Sequence, residues 1–335
     1  MGAQINDEAF EGFSVAAPST RPPKCSNPPK RKEWRQLSKP QRLAYLDAVK
    51  CLTTTKSITS FNNTLNRFDD FQAVHNSQTD QIHFVGFFIL WHRYFVATYE
   101  KALREECGYR GAQPYWNVSQ DATLTDINTL RSFDTEIFDP RYGFGGNGEY
   151  AEHTPANNPL NISGGTGGGC VQDGPFREGH FVTNFPTRSC LKRDFIPWIF
   201  NTFGQQSVVD SVQSQPDYAT WALAIEGIPS FDVPNIHASG HFGVGGVLGQ
   251  AGNAYNSPGE PLFYLHHGNL DRIFWEWQQQ DLATRLRQVG GPVAPFDYGG
   301  VNVTLDFEVD IGELSGRVPL SQLMDIKGGF LCYEY

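Results

Sequence analysis

Apolar and polar positions along this chain recur mostly at a helical period. Ser38-Lys39-Pro40 opens a stretch in which Leu43, Ala44, Leu46 and Val49 return every three or four residues. The spacing predicts a helix over 39–52, with Ser38 as its cap and Pro40 in its first turn. From Val85 to Glu106 there is no Pro and Gly only at 86. That stretch passes from Phe87, Phe88, Leu90, Trp91 and Phe95 into Tyr99-Glu100-Lys101-Ala102-Leu103-Arg104, the pattern of a buried helix with a polar end. Helical periods return over about 195–225, near 235–243, and strongly over 261–284 through Leu270, Ile273, Phe274 and Trp277.

Between about 139 and 190 neither period holds. Gly143 to Gly148 and Gly164 to Gly169 predict long loops, and Cys170 with Cys190 is expected to staple them. Val301-Asn302-Val303-Thr304-Leu305 alternates like a strand. Residues 1–36, rich in Pro and polar side chains, read as an extended arm. There is no repeat at a solenoid period. Because the helices that carry candidate ligands come from both halves, the expectation is one mainly α domain over 1–335, with long Gly-rich loops and a few short strands.

Composition narrows the function. With 25 Phe, 13 Tyr and 7 Trp the chain can bury a sizeable core. A formal net charge of -10 argues against nucleic acid, which requires clustered Lys and Arg. No apolar run of about eighteen residues occurs, so no membrane span is expected, and the first residues lack the apolar region of a leader. The six Cys form no CxxC pair, which suits disulfides better than structural zinc. Sequons begin at Asn62, Asn117, Asn161 and Asn302. Together these point to a secreted protein whose leader has been removed.

Seven of the nine His fall into two clusters, His75, His83 and His92, then His237, His241, His266 and His267. A lone His is more often a satisfied core or surface residue than a ligand, so the case rests on geometry. On a helix His237 and His241 lie about 40° apart and can reach one metal. His83 and His92 would lie about 180° apart on one helix, so His83 must precede the helix of His92. His75 then comes from the connection upstream. Adjacent His266 and His267 point about 100° apart, so only one can join His237 and His241. His153 and His180 default to the surface. Three neutral imidazoles per ion suit copper, zinc, iron or nickel.

The surrounding motifs are more specific. His83-Phe-Val-Gly-Phe-Phe-Ile-Leu-Trp91-His92-Arg93-Tyr94-Phe95, followed by Pro114-Tyr115-Trp116-Asn117, resembles the first copper site of the tyrosinase and catechol oxidase family. Asn235-Ile236-His237-Ala238-Ser239-Gly240-His241, then Pro261-Leu262-Phe263-Tyr264-Leu265-His266-His267-Gly268-Asn269-Leu270-Asp271-Arg272, resembles its second. Tyr333-Glu334-Tyr335 is similar to the Tyr-X-Tyr motif that closes the family's catalytic core. The resemblance covers nearly the whole chain and is strongest to the short fungal enzymes without a C-terminal lid domain.

That resemblance implies a four-helix bundle holding a binuclear copper site, with His75, His83 and His92 on one copper and His237, His241 and His267 on the other. It leaves His266 to pack or hydrogen-bond nearby. It further implies dioxygen as co-substrate and small phenols as substrates, with o-diphenols oxidised to o-quinones. Gln81 replaces the Cys that many relatives join to a histidine, so no thioether is expected. Glu260 stands where Asp is usual. Asp271 is a candidate to orient a ligand ring.

In relatives a Glu upstream of the second site and an Asn directly after its first histidine orient an activating water. Glu226 matches the former, but Ala238 follows His237 and cannot hydrogen-bond through its side chain. Diphenol oxidation is therefore expected to outrun monophenol hydroxylation. Phe242 after His241 offers no cation to carboxylated phenols, and Gly243, Gly245 and Gly246 suggest an open mouth. The alternatives are an efficient tyrosinase, a hemocyanin-like oxygen carrier and a zinc hydrolase.

Overall fold

Gln41 accepts a 2.9 Å hydrogen bond from the Ser38 N–H, and Pro40 occupies the first turn of helix α1 (Lys39–Leu52), which spans the predicted residues. The computed structural model describes residues 25–335, so most of the proposed arm lies outside the described residues. Its described part runs without helix to Glu33 and then makes a short 3-10 turn, Trp34–Gln36.

Eight further α-helices follow among the described residues. They are α2 (Arg67–Ile82), α3 (Phe88–Glu105), α4 (Pro197–Phe203), α5 (Gln206–Gln213), α6 (Tyr218–Glu226), α7 (Ile236–Gly245), α8 (Leu262–Gln279) and α9 (Leu282–Arg285). Helix α2 escapes the hydrophobic pattern because polar side chains interrupt its buried Phe68, Phe71, Val74 and Ile82. Asp69, Asp70, Gln72, His75 and Thr79 are all buried there. Hydrogen bonds compensate: Asp70 accepts from Arg67, Ser57, the Ile58 N–H and Thr59, and Asp69 from Asn184 and the Leu65 N–H. Helix α3 starts three residues later than the apolar run. A Cβ at Gly86 would come within 2.2 Å of the Gly290 carbonyl, and the close approach lets the Gly86 N–H donate to Pro292 at 2.8 Å.

The Gly-rich region forms one short antiparallel pair, β1 (Gly148–Tyr150) with β2 (Gly168–Val171), stapled by Cys170–Cys190 as expected. Arg193 ties it to α8. Its guanidinium binds both oxygens of buried Glu260 at 2.8 Å and donates to the carbonyls of Phe144, Gly145 and Gly146. Glu260 in turn accepts from the Leu262 N–H at the start of α8. The strand expected at 301–305 is a correction. Asn302 makes a single bridge to Pro292, and the true pair, β3 (Glu308–Val309) with β4 (Val318–Pro319), lies further on. Two backbone hydrogen bonds flank that bridge, Val293 N–H to the Val301 carbonyl at 2.8 Å and Val303 N–H to the Gly291 carbonyl at 3.0 Å, and the pairing stays an isolated bridge.

Helices α3 and α8 are joined at their centre by a buried charge network. Asp271 of α8 accepts from Arg93 at 2.5 Å, from Arg31 at 3.1 Å, and from Tyr333 and Tyr335 at 2.5 Å each. Arg31 also pairs with Glu100 of α3 at 2.6 Å. Two cations and two anions balance, and the Tyr-X-Tyr motif acquires its physical role as donor to the buried carboxylate. Cys25–Cys332 and Cys51–Cys107 complete the disulfides, the first tying the two ends of the described chain.

Burial alone would push the Asp271 carboxyl up, but Arg93 and Arg31 outweigh it and hold it below the usual carboxylate range. A depressed folded value stabilises the fold above the unfolded value of about 3.9, and that stabilisation is lost as pH falls through the folded value. Asp271→Asn should therefore cost about 3–5 kcal/mol at neutral pH, because it strands buried arginines. Urea unfolding should show this gap closing below about pH 4; a gap unchanged at pH 3 would contradict the assignment.

Candidate metal centre

Helices α2, α3, α7 and α8 direct histidines into one interior space. His75 lies in the middle of α2, which corrects the expectation that an irregular connection supplies it. His83 ends α2 in an extended conformation, off the axis of α3 as the 180° argument requires. His92 is on α3, His237 and His241 are on α7, and His266 and His267 on α8. Gly240 makes the close packing of α7 on α8 feasible, since a Cβ there would stand 2.3 Å from the His266 ring.

The structure brings His75, His83 and His92 together as one group and His237, His241 and His267 as another. Within each, one nitrogen per ring lies within 4.8 Å of the others, close enough to hold a metal ion. The groups face each other: His92 stacks on His267 with centroids 4.4 Å apart, and His83 lies nearly parallel to His237 at 6.3 Å.

Backbone carbonyls fix the rings. Nδ1 of His83 lies 2.9 Å from the Thr79 carbonyl, Nδ1 of His92 2.9 Å from that of Phe88, and Nδ1 of His241 2.7 Å from that of Ala251. His237 Nδ1 reaches the Glu226 carbonyl at 3.3 Å. This assigns the tautomers and turns the Nε2 atoms towards the centre. Asp271, expected to orient a ring, contacts none of them, because one turn further along α8 it meets Arg31 and Arg93.

The nitrogens left over test the fit to metal. Nε2 of His75, His92 and His237 is buried without a hydrogen-bond partner. Nε2 of His241 and His267 lie 3.2 Å apart. Buried ring nitrogens left without a partner are costly unless a cation binds them. Burial, reinforced by the neighbouring imidazoles, lowers the pKa of His75, His92, His237 and His267 well below the ordinary value. Burial likewise lowers His83 and takes His241 to about 4. Six neutral imidazoles result, a donor set that fits copper. His266 is committed elsewhere, its Nε2 donating to the His237 carbonyl at 2.9 Å.

Phe88 and Phe263 are functional residues that the histidine pattern missed. Phe88 packs on His92 at 4.6 Å and His237 at 4.8 Å, and Phe263 on His267 at 4.1 Å and His75 at 5.5 Å. Each stands four residues before a histidine on its own helix, a spacing that could have revealed them. His153 departs from its expected surface place: it is largely covered, with Nε2 2.8 Å from Asp194, which also receives the Gly167 and Val247 N–H groups. His180 is exposed beside Arg177.

A pocket of about 490 Å³ opens over His83, His237 and His241 and is lined by Glu226, Ala238 and Phe242 among others. Glu226, the last residue of α6, is buried and accepts the Phe84 N–H at 2.6 Å. Burial pushes its carboxyl well above the ordinary range, opposed by the backbone donors of Phe84 and Val85. Ala238 gives only its backbone N–H, to Asn235 at 2.7 Å, and Phe242 packs edge-on against Phe231 at 4.8 Å.

Metal analysis of dialysed variants separates ligand from neighbour. The native chain and His266→Ala should each retain about two ions, and His267→Ala about one. Loss of an ion from His266→Ala alone would reverse the assignment.

Comparison with known proteins agrees with this geometry. The family domain described as the common central domain of tyrosinase matches residues 65–280. Tyrosinase P of Aspergillus terreus is 33% identical, with 93% of each chain covered. An N-acetyl-6-hydroxytryptophan oxidase of Emericella nidulans is 31% identical over 96% of each. Among solved structures, a polyphenol oxidase mutant from Thermothelomyces thermophila superposes with a TM-score of 0.76 at 32% identity, covering 91% of this chain and 88% of that one. With the matched domain spanning all four histidine-bearing helices, the chain belongs to the tyrosinase family of copper oxidases.

Proposed function

We propose that this protein oxidises o-diphenols to o-quinones with dioxygen and hydroxylates monophenols weakly or after a lag. His75, His83 and His92 would hold one copper and His237, His241 and His267 the other. When bound, the copper pair supplies dioxygen activation and accepts the two electrons that leave the diphenol. The chain's own residues orient and shield. Phe88 and Phe263 exclude water from the rings, and the pocket places a phenol over His83, His237 and His241.

The hydrogen bonding of Glu226 carries the preference for diphenols. Hydroxylation requires a phenol to lose its proton to a nearby base. Glu226 already binds the Phe84 N–H, and no side chain at Ala238 can hold a water beside it. The open pocket favours an oxidase over an oxygen carrier. Three disulfides and exposed sequons at Asn62, Asn161 and Asn302 support passage through an oxidising, secretory compartment, whereas Asn117 is half-buried and poorly placed for a glycan. A shared core cluster that draws on α1–α8 supports one catalytic unit.

Oxygen uptake by the copper-loaded protein with catechol, a monophenol and an o-aminophenol tests the reaction. Catechol should turn over fastest, and a monophenol consumed equally fast without a lag would overturn the reading. Ala238→Asn should raise the monophenol-to-diphenol ratio by roughly tenfold, since it restores a water-holding group.

A further inference from the structure

The pocket over the metal centre is larger and more apolar than oxidation of a single ring requires. At about 490 Å³ it falls in the range of pockets that enclose drug-sized ligands, and a lone catechol fills only a fraction of it. Its inner part is the histidine floor. Its outer part is Leu160, Ile228, Phe231, Tyr255 and the pair Phe84–Phe296. No Lys or Arg lines it; its carboxyl groups are those of Asp80, which accepts the Tyr255 hydroxyl at 2.7 Å, and of buried Glu226.

The Phe84–Phe296 pair is built at a conformational cost. Both residues lie in the left-handed region, at φ of 55° and 63°, which bulky side chains rarely adopt. Glycine or asparagine would make the same turns with less strain. The rings stack at 4.3 Å with an interplanar angle of 22°, and the Phe296 N–H donates to the Phe84 carbonyl at 3.1 Å. The stack does not serve the core, since Phe296 is 51% exposed. Leu160, on the same rim, is 58% exposed. Strained, exposed aromatics beside an active site mark a place where a ligand uses them.

We propose that this outer compartment is a subsite for an uncharged aryl or alkyl extension on the phenol, with the Phe84–Phe296 stack as its wall. The physiological substrates are then hydrophobically substituted phenols, in preference to phenolic acids or zwitterionic amino acids. An apolar extension gains by leaving water against these side chains, while a carboxylate meets the Asp80 carboxylate and finds no cation to offset it. The inference deepens the oxidase reading and rests on it for the reaction alone.

Two measurements on the copper-loaded protein test it. In the first, calorimetry compares 4-benzyl-1,2-dimethoxybenzene with 1,2-dimethoxybenzene and 3,4-dimethoxyphenylacetate, none of which can be oxidised as a catechol. The benzyl compound should bind at least about tenfold more tightly than the unsubstituted ether, and the acid most weakly. In the second, KM for 4-benzylcatechol should fall below that for catechol by a similar factor. Phe296→Gly, which suits the left-handed backbone, and Leu160→Ser should each erase most of the advantage, chiefly in KM. An advantage under about twofold in the native protein, full retention of it by both variants, or tightest binding of the acid would overturn the subsite. Tight benzyl binding without any oxygen uptake would keep the subsite and overturn the oxidase; catechol turnover without a benzyl advantage would do the reverse.

Discussion

The Arg93–Asp271 pair fixes the distance on which the metal centre depends. Arg93 follows His92 directly on α3, and Asp271 stands one turn beyond His267 on α8. Their 2.5 Å contact sets the two helices against each other at the level of the site and so determines that His92 and His267 stack at 4.4 Å. An isolated buried pair would be a poor investment in stability. Here each remaining atom is satisfied. Arg93 also reaches the carbonyls of Leu323 and Met324, and Asp271 collects the hydroxyls of Tyr333 and Tyr335. The chain's described beginning, its two central helices and its end therefore close on one carboxylate.

With that frame in place, the histidine nitrogens become a liability that metal removes. Packing and backbone carbonyls hold the rings so that Nε2 of His75, His92 and His237 have nothing to bond. Rotating away would sacrifice the Nδ1 contacts and the packing on Phe88 and Phe263. Folding thus stores unsatisfied acceptors in two convergent groups, and any ion that binds them stabilises the native state by its own binding free energy. The neutral rings that result are ready to ligate at neutral pH without competition from protons.

Much of this was legible in the residues, unevenly. Helix α1 showed itself through its cap and Pro40, and α8 through Leu270, Ile273, Phe274 and Trp277, because both bury an apolar stripe. Helix α2 left only an interrupted one. Its buried Phe68, Phe71, Val74 and Ile82 are interleaved with buried Asp69, Asp70, Gln72 and His75, and the partners that satisfy the carboxylates, Ser57, Thr59 and Asn184, come from elsewhere in the chain. The same limit hid the role of Asp271, whose partners lie up to 240 residues away along the chain. Periodicity placed His83 off α3 correctly, since that inference needs one helix only. It could not place His75, and it read strand into 301–305, where pairing with 291–293 amounts to a single bridge.

Glu226 connects the reaction to the substrate. One carboxylate oxygen holds the Phe84 N–H, and Phe84 in turn carries the stack with Phe296. A carboxylate that anchors this aromatic wall has less freedom to orient a water over the phenol hydroxyl, and Ala238 supplies no second group to share the task. On the proposed reading, weak hydroxylation and an apolar mouth would arise from a single arrangement. In the proposed subsite an extended phenol would be held against the wall that Glu226 supports, at the expense of the proton transfer that monophenols need. A diphenol bearing an apolar group would make the least demand on Glu226 and the greatest use of Phe84 and Phe296, which is why the proposed reaction and the proposed subsite point to the same substrate.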